Sequence, residues 1–205
     1  MDSLDEISRI RRELKDGERK TVVLTRHYDA EVKDVWDACT DAERLARWFL
    51  PVSGDLRLGG TYQLEGNAGG EILDCEPPAY LRVSWLFGPD PGFSEVEVRL
   101  SAEDEGTLFE LRHTAEVPPE MWGRYGPGAV GVGWDLALLG LGLHLAGGPP
   151  PDKSGFELTG DGRRFITASS QAWGAAFERA GAAPETAVAA VAGTTAFYLP
   201  PEDQA

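Results

Sequence analysis

The chain is poor in sulfur and in positive charge. Its two cysteines, Cys39 and Cys75, are too few for a disulfide framework, and they form no Cys-x-x-Cys pair or spaced Cys/His set. That excludes a disulfide-stapled secreted scaffold and a structural zinc module, and it fits a reducing cytoplasm. Nineteen Lys and Arg stand against 34 Asp and Glu, a formal net charge of −15. Such a surface repels phosphate backbones and anionic lipid, and no basic stripe interrupts it, so neither nucleic acid nor a membrane is expected as a partner. The first twenty residues are charged throughout and lack the apolar stretch of a signal peptide; a cytoplasmic protein is expected. Long hydrophobic runs are also scarce. The nearly uncharged segment Val130 to Ala146 is interrupted by Asp135 and His144, is rich in glycine and lacks basic flanks, so it reads as a buried helix rather than a membrane span. The three histidines, His27, His113 and His144, have no metal-ligand spacing, and neither a metal nor a cofactor is expected.

What the chain does have is apolar content, 42% over 205 residues, enough for the core of one large domain. Ser3-Leu4-Asp5-Glu6 has the capping-box pattern, and Ile7, Ile10 and Leu14 follow at helical spacing, which predicts an N-terminal helix within residues 1–19. Residues 20–28 read as a strand. Asp29 is then placed to cap a helix with Val32, Val35, Trp36 and Cys39 on one face. The box Thr40-Asp41-Ala42-Glu43 opens a second short helix carrying Leu45, Trp48 and Phe49, closed by Pro51.

From Asp55 to Ala115 the period falls to two, the mark of an antiparallel meander with one buried face. Tyr62 and Leu64 alternate with polar neighbours before a glycine-rich hairpin at residues 66–70; Leu81, Val83, Trp85 and Phe87 share a face, as do Val96, Val98 and Leu100. Phe109, Leu111, His113 and Ala115 share the last one, which turns His113 inward. An aromatic loop (Met121, Trp122, Tyr125) leads to a long helix from about Val132 to Ala146, apolar nearly all round. Gly140 and Gly142 inside it each cost about 1 kcal/mol against alanine and imply close approach of backbone or ligand. Residues 147–162 are a Pro/Gly-rich connection, followed by helices over about 163–180 and 184–198.

This order resembles the helix-grip fold of the START-like (SRPBCC) superfamily, and local motifs resemble its activator of Hsp90 ATPase homologue 1-like branch. They are Arg26-His27-Tyr28-Asp29-Ala30, Val35-Trp36-Asp37-Ala38, Arg47-Trp48-Phe49, Asp55-Leu56-Arg57-Leu58-Gly59-Gly60, Pro77-Pro78-Ala79-Tyr80-Leu81 and Gly133-Trp134-Asp135. The resemblance covers roughly residues 20–147. It implies an α+β fold in which a curved antiparallel sheet of six or seven strands grips a long helix, with additional terminal helices. The expected organisation is an N-terminal helix (1–19), the helix-grip domain (20–147) and a C-terminal helical extension (148–205) resembling that of some bacterial members. The extension is expected to pack on the same domain, closing the cavity or forming a homodimer.

A sheet this curved over one helix tends to leave a void, and Trp48, Tyr62, Trp85, Phe109 and Trp134, with Leu138 and Leu141 of the long helix, are candidates to line it. For each singly, plain core packing is the alternative. His113 is the sharpest polar candidate, a titratable ring on an apolar face; the alternative is a satisfied core histidine. Asp135 is expected to cap or orient the long helix, and Cys75 to pack. Gly126-Pro127-Gly128-Ala129-Val130-Gly131 matches a dinucleotide-binding pattern, but no strand leads into it, so its glycines are expected to bend a loop over the cavity mouth. The leading functional expectation is non-catalytic binding or carriage of a small hydrophobic molecule. An alternative is a polyketide cyclase- or aromatase-like enzyme in which His113 and Tyr62 move protons; a second is a chaperone-related interaction module.

Overall fold

The computed structural model describes residues 3–89, 91–148 and 155–199. Eight strands form one antiparallel sheet in the order β1-β2-β8-β7-β6-β5-β4-β3. They are β1 (Arg11–Asp16), β2 (Lys20–Tyr28), β3 (Val52–Gly54), β4 (Thr61–Leu64), β5 (Gly69–Glu76), β6 (Tyr80–Ser84), β7 (Ser94–Glu103) and β8 (Gly106–Ala115). The long-range step is the pairing of β2 with β8, from Lys20 opposite Ala115 to Tyr28 opposite Thr107. Side chains alternate along a strand, so this register puts Val22, Leu24 and Tyr28 on the same inner face as Phe109, Leu111 and His113.

Between β2 and β3 lie α2 (Val32–Thr40) and α3 (Ala42–Trp48). Asp29 does not cap α2: the cap position is Glu31, which makes no side-chain cap bond. At α3 the capping side chain is Asp41, which accepts from the Arg44 amide at 2.9 Å, while the Thr40 hydroxyl donates back to the Trp36 carbonyl. After the sheet come α4 (Pro119–Tyr125), α5 (Gly128–Leu145), α6 (Gly160–Arg179) and α7 (Pro184–Tyr198), with a 3-10 turn at Phe156–Leu158. Residues 149–154 of the expected connection lie outside the described residues. The arrangement is the helix-grip fold, with α5 held between the inner face of the sheet and α6.

The N-terminal segment corrects one expectation. Only Ser3–Ser8 is helical (α1); Arg11–Asp16 is an edge strand paired with β2. Ile7, Ile10 and Leu14 are buried, but from Ile10 onward the true period is two, with Arg12 occupying an inward position between Ile10 and Leu14. A charged residue in a buried slot disguises the alternation. The side chain of Ser3 lies outside the described part, and Glu6 pairs with Arg26 of β2.

Other differences follow from local geometry. Strand β6 ends at Ser84, so Phe87 leaves the shared face and is 65% exposed. The aromatic loop is the short helix α4, with Pro119 in its first turn. The glycines of residues 126–131 do not arch over a cavity mouth. A Cβ on Gly126 would come within 2.9 Å of the Phe177 ring, one on Gly128 within 2.4 Å of Thr194 Oγ1, and one on Gly131 within 2.2 Å of the Trp173 indole. They are points where α6 and α7 seat against the start of α5. Likewise Gly142 makes room for the Arg26 guanidinium, 2.6 Å from where its Cβ would lie.

Helix α5 is long and apolar enough to cross a membrane by length and composition alone, yet it carries a carboxylate in the middle of the core. Asp135, 0% exposed, accepts from Arg12 Nε of β1 at 3.0 and 3.2 Å, from Ser169 Oγ of α6 at 2.5 Å and from Trp173 Nε1 of α6 at 3.1 Å. Of its two expected roles, capping α5 gives way to orienting it: the carboxylate joins α5 to β1 and α6. Burial pushes its pKa up, and the guanidinium, hydroxyl and indole donors oppose that rise. A second buried pair joins Arg26 of β2 to Glu6 of α1, and Arg26 Nη1 also donates to the Leu138 carbonyl of α5 at 3.1 Å.

Removing one partner of a buried pair leaves an uncompensated charge. Asp135→Ala should lower the urea unfolding free energy by about 3–5 kcal/mol, and adding Arg12→Met should recover much of the loss. If the double variant were as unstable as the single one, the ion pair would not be the seat of the effect.

Candidate functional site

The strands β4 to β8 curve away from the middle of α5, and the space between them is roofed by α2, α3 and the residues just after α3. It holds a cavity of about 380 Å³, at the smaller end of pockets that take drug-sized ligands. From α5 the residues Trp134, Ala137 and Leu138 face it, at the i, i+3, i+4 spacing of one helix face. Leu56, Arg57 and Pro77, all exposed, form its mouth.

Six of the eight candidates chosen from the sequence meet on this wall: Trp48, Tyr62, Trp85, Phe109, Trp134 and Leu138. The other two do not. Leu141 is fully buried one turn further along α5, and His113 is a buried neighbour of the Trp85 and Trp134 rings, 6.2 and 5.9 Å away between centroids. Phe49, which the sequence placed only on a helix face, is central. Its ring lies 5.4 Å from Trp48, 6.5 Å from Trp85 and 6.3 Å from Trp134, with every interplanar angle at 30° or less. The signal that could have found it is the adjacent Trp48-Phe49 pair just before Pro51, where a helix must stop and the chain turns inward.

Three of the wall's ring-borne donors are bound to the protein. Trp48 Nε1 donates to the Ala38 carbonyl at 2.9 Å and the Tyr62 hydroxyl to the Ser84 carbonyl at 2.7 Å. Trp134 Nε1 donates to His113 Nδ1 at 3.0 Å. An indole N–H can only donate, so Nδ1 is the acceptor, the ring proton sits on Nε2, and that atom donates to Ser94 Oγ at 2.8 Å. His113 is thus a neutral imidazole of fixed tautomer, and burial brings its pKa down to about 4. Both ring nitrogens are committed. Burial also raises the Tyr62 hydroxyl well above its ordinary range. The two groups put forward for proton transfer are held in structural hydrogen bonds.

Both cysteine thiols also line the cavity. Burial pushes Cys39 up to about 12, against a smaller opposing pull from Arg44, and burial raises Cys75 as well, so both are thiols rather than thiolates. His144 lies off the cavity, its Nε2 accepting from Arg44 Nε at 3.3 Å, and the His27 ring sits by the Glu103 carbonyl. Among the described residues no group of His, Cys, Asp and Glu is arranged to hold a metal. Nor does any described residue of α6 or α7 line the cavity; these helices back α5 from the other side rather than closing it.

Comparison with known proteins places this geometry. The family model for activator of Hsp90 ATPase homolog 1-like protein matches residues 29–145. Among solved structures the chain is similar to CalU16 from Micromonospora echinospora. The crystal structure of that protein is 37% identical with a TM-score of 0.65, covering 82% of this chain and 97% of the other. Its solution NMR structure gives 39% identity and a TM-score of 0.70, covering 84% and 97%. DynU16, from the dynemicin biosynthetic locus, shares the fold at 23% identity and a TM-score of 0.57, covering 63% of this chain and 48% of that one. None of the curated proteins matches the chain.

The His113 network has a pH signature. The unfolded chain takes up a proton near pH 6.5 that the folded protein refuses until about pH 4. The network's stability is therefore complete above pH 6.5 and is lost as pH falls toward 4, by up to about 3 kcal/mol. A His113→Asn variant lacks this limb, so the wild-type advantage in urea denaturation should narrow by that amount between pH 7 and pH 4. An advantage constant with pH would mean that His113 is not held neutral.

Proposed function

The chain belongs to the activator of Hsp90 ATPase homolog 1-like family, and from that premise we propose that this member is a cytoplasmic, non-catalytic binder or carrier of a small hydrophobic molecule. The observation that carries the reading is the unfilled aromatic and aliphatic cavity between β4–β8 and α5, every lining residue of which falls within the family-matched segment 29–145. A core that served only stability would gain from filling that space, since voids forfeit dispersion contacts.

Two features favour binding without chemistry. The ionisable side chains nearest the cavity are tied into protein hydrogen bonds, as His113 and Tyr62 are. The thiols are protonated and sit on an apolar wall, so they act as small apolar groups.

The reading is tested by filling the space. Ala137→Leu, and independently Val83→Phe, should weaken binding of the neutral fluorophore Nile red at least tenfold while the chain stays folded by circular dichroism. Native mass spectrometry of detergent-free wild-type protein should show an apolar adduct that both variants lack. Unchanged Nile red affinity in both folded variants would remove the cavity from consideration.

A further inference from the structure

We infer that the occupant of this cavity is a neutral, flat aromatic molecule and not an anionic lipid. The inference rests on the proposed binding role of the cavity and adds the chemical class of the ligand.

Charge disfavours an ionised occupant. Arg57 is the sole lining residue with a formal charge, and it stands at the mouth with a side chain 77% exposed, its Nε donating to both carboxylate oxygens of Asp55 at 2.9 and 2.7 Å. Among the described lining residues no charged group lies deeper to pair with a carboxylate, sulfate or ammonium. A charged head group drawn inside would lose its hydration without gaining a partner. The chain's own charge of −15 disfavours anions further.

Hydrogen bonding within the wall disfavours a polar occupant. Trp48, Tyr62 and Trp134 each donate to a protein acceptor, and the Thr40 hydroxyl donates to the Trp36 carbonyl. With these four donors spent, a buried ligand rich in hydroxyls or amides would leave most of its own groups unsatisfied. Uncharged polar substituents must stay at the mouth, where the Arg57 guanidinium is already paired with Asp55.

Shape favours a flat ring. The Phe49 ring lies nearly parallel to those of Trp48, Trp85 and Trp134, while Trp85 and Trp134 approach each other at 5.0 Å with a tilt of 53°. The wall therefore offers several ring faces in similar orientation together with tilted edges, the pairing that aromatic rings prefer. A flexible alkyl chain gains area here but not that directional contact, and it loses more rotamer entropy on confinement.

The test is isothermal titration calorimetry on the full chain at pH 7.5 with 2-acetylnaphthalene, 2-naphthoate and 1-decanol. The neutral aromatic should bind at least tenfold more tightly than either of the others. Phe49→Leu, or Trp85→Leu if the former fails to fold, should weaken 2-acetylnaphthalene fivefold or more while shifting 1-decanol by less than twofold. Equal or tighter binding of 2-naphthoate would overturn the neutrality, and equal binding of 1-decanol would overturn the aromatic preference; in either case the carrier role would stand. Binding of none of the three, with no adduct in native mass spectrometry, would bring down both.

Discussion

The Asp135 carboxylate can stay buried only while β1 and α6 are both in place around α5. A carboxylate far from water is costly unless it is paired and hydrogen-bonded, and its donors come from two segments remote in sequence, Arg12 on one side and Ser169 and Trp173 on the other. This fixes more than the position of α5. Successive residues on a helix are turned by about 100°, so anchoring Asp135 toward β1 and α6 sends its neighbour Trp134 toward the sheet, where its indole reaches His113. One turn of α5 thus holds the helix and presents Trp134, Ala137 and Leu138 to the cavity. The extension after residue 148 contributes no described residue to the lining, yet through Asp135 it governs how that lining is oriented.

The second ionic bolt works at the next turn. Arg26 Nη1 and the Tyr28 hydroxyl both donate to the Leu138 carbonyl, each at 3.1 Å, and Gly142 leaves the space that the guanidinium occupies. Glu6 completes the pair from α1. Among the described residues three buried polar atoms of the bolts lack a hydrogen-bond partner: Arg12 Nη2, Arg26 Nε and Glu6 Oε1, which has only an ion-pair contact with Arg9 Nε at 3.5 Å. Imperfect pairs of this kind add little net stability compared with a well-packed apolar substitute. Their effect is better understood as selection, because a one-residue slip of β1 against β2 would turn Arg12 to the outside and strand Asp135.

Much of this was legible in the residues. The alternation along β7 and β8, with Glu and Arg facing out, announces which side of the sheet is buried, and it turns His113 inward correctly. What the sequence hid were the places where a polar residue occupies an apolar slot. Arg12 is the clearest case: scored as polar, it makes Ile7, Ile10 and Leu14 look helical; scored as buried, it makes Arg11–Asp16 a strand. The partner that licenses its burial lies 123 positions away, beyond any local pattern. The tautomer of His113 and the centrality of Phe49 were hidden for the same reason, since each depends on contacts across the sheet and α5. The void itself was foreseeable only in outline, from a curved sheet around one helix; which rings would face it depended on the rotation of α5.

That rotation, with two backbone carbonyls, also explains how three polar-tipped rings of the wall can be apolar in effect. Tryptophan and tyrosine bring an N–H or O–H wherever they go, and a binder made of them would ordinarily advertise donors to its ligand. Here the Ala38 and Ser84 carbonyls and the imidazole of His113 draw the tips of Trp48, Tyr62 and Trp134 into protein hydrogen bonds. The imidazole can serve as an acceptor only while neutral, and burial keeps it neutral by lowering its pKa to about 4. A protonated His113 would have no lone pair for Trp134, and the indole would have to turn toward the cavity to find one. The low basicity of a single buried ring is therefore part of what keeps the Trp134 N–H turned away from the cavity.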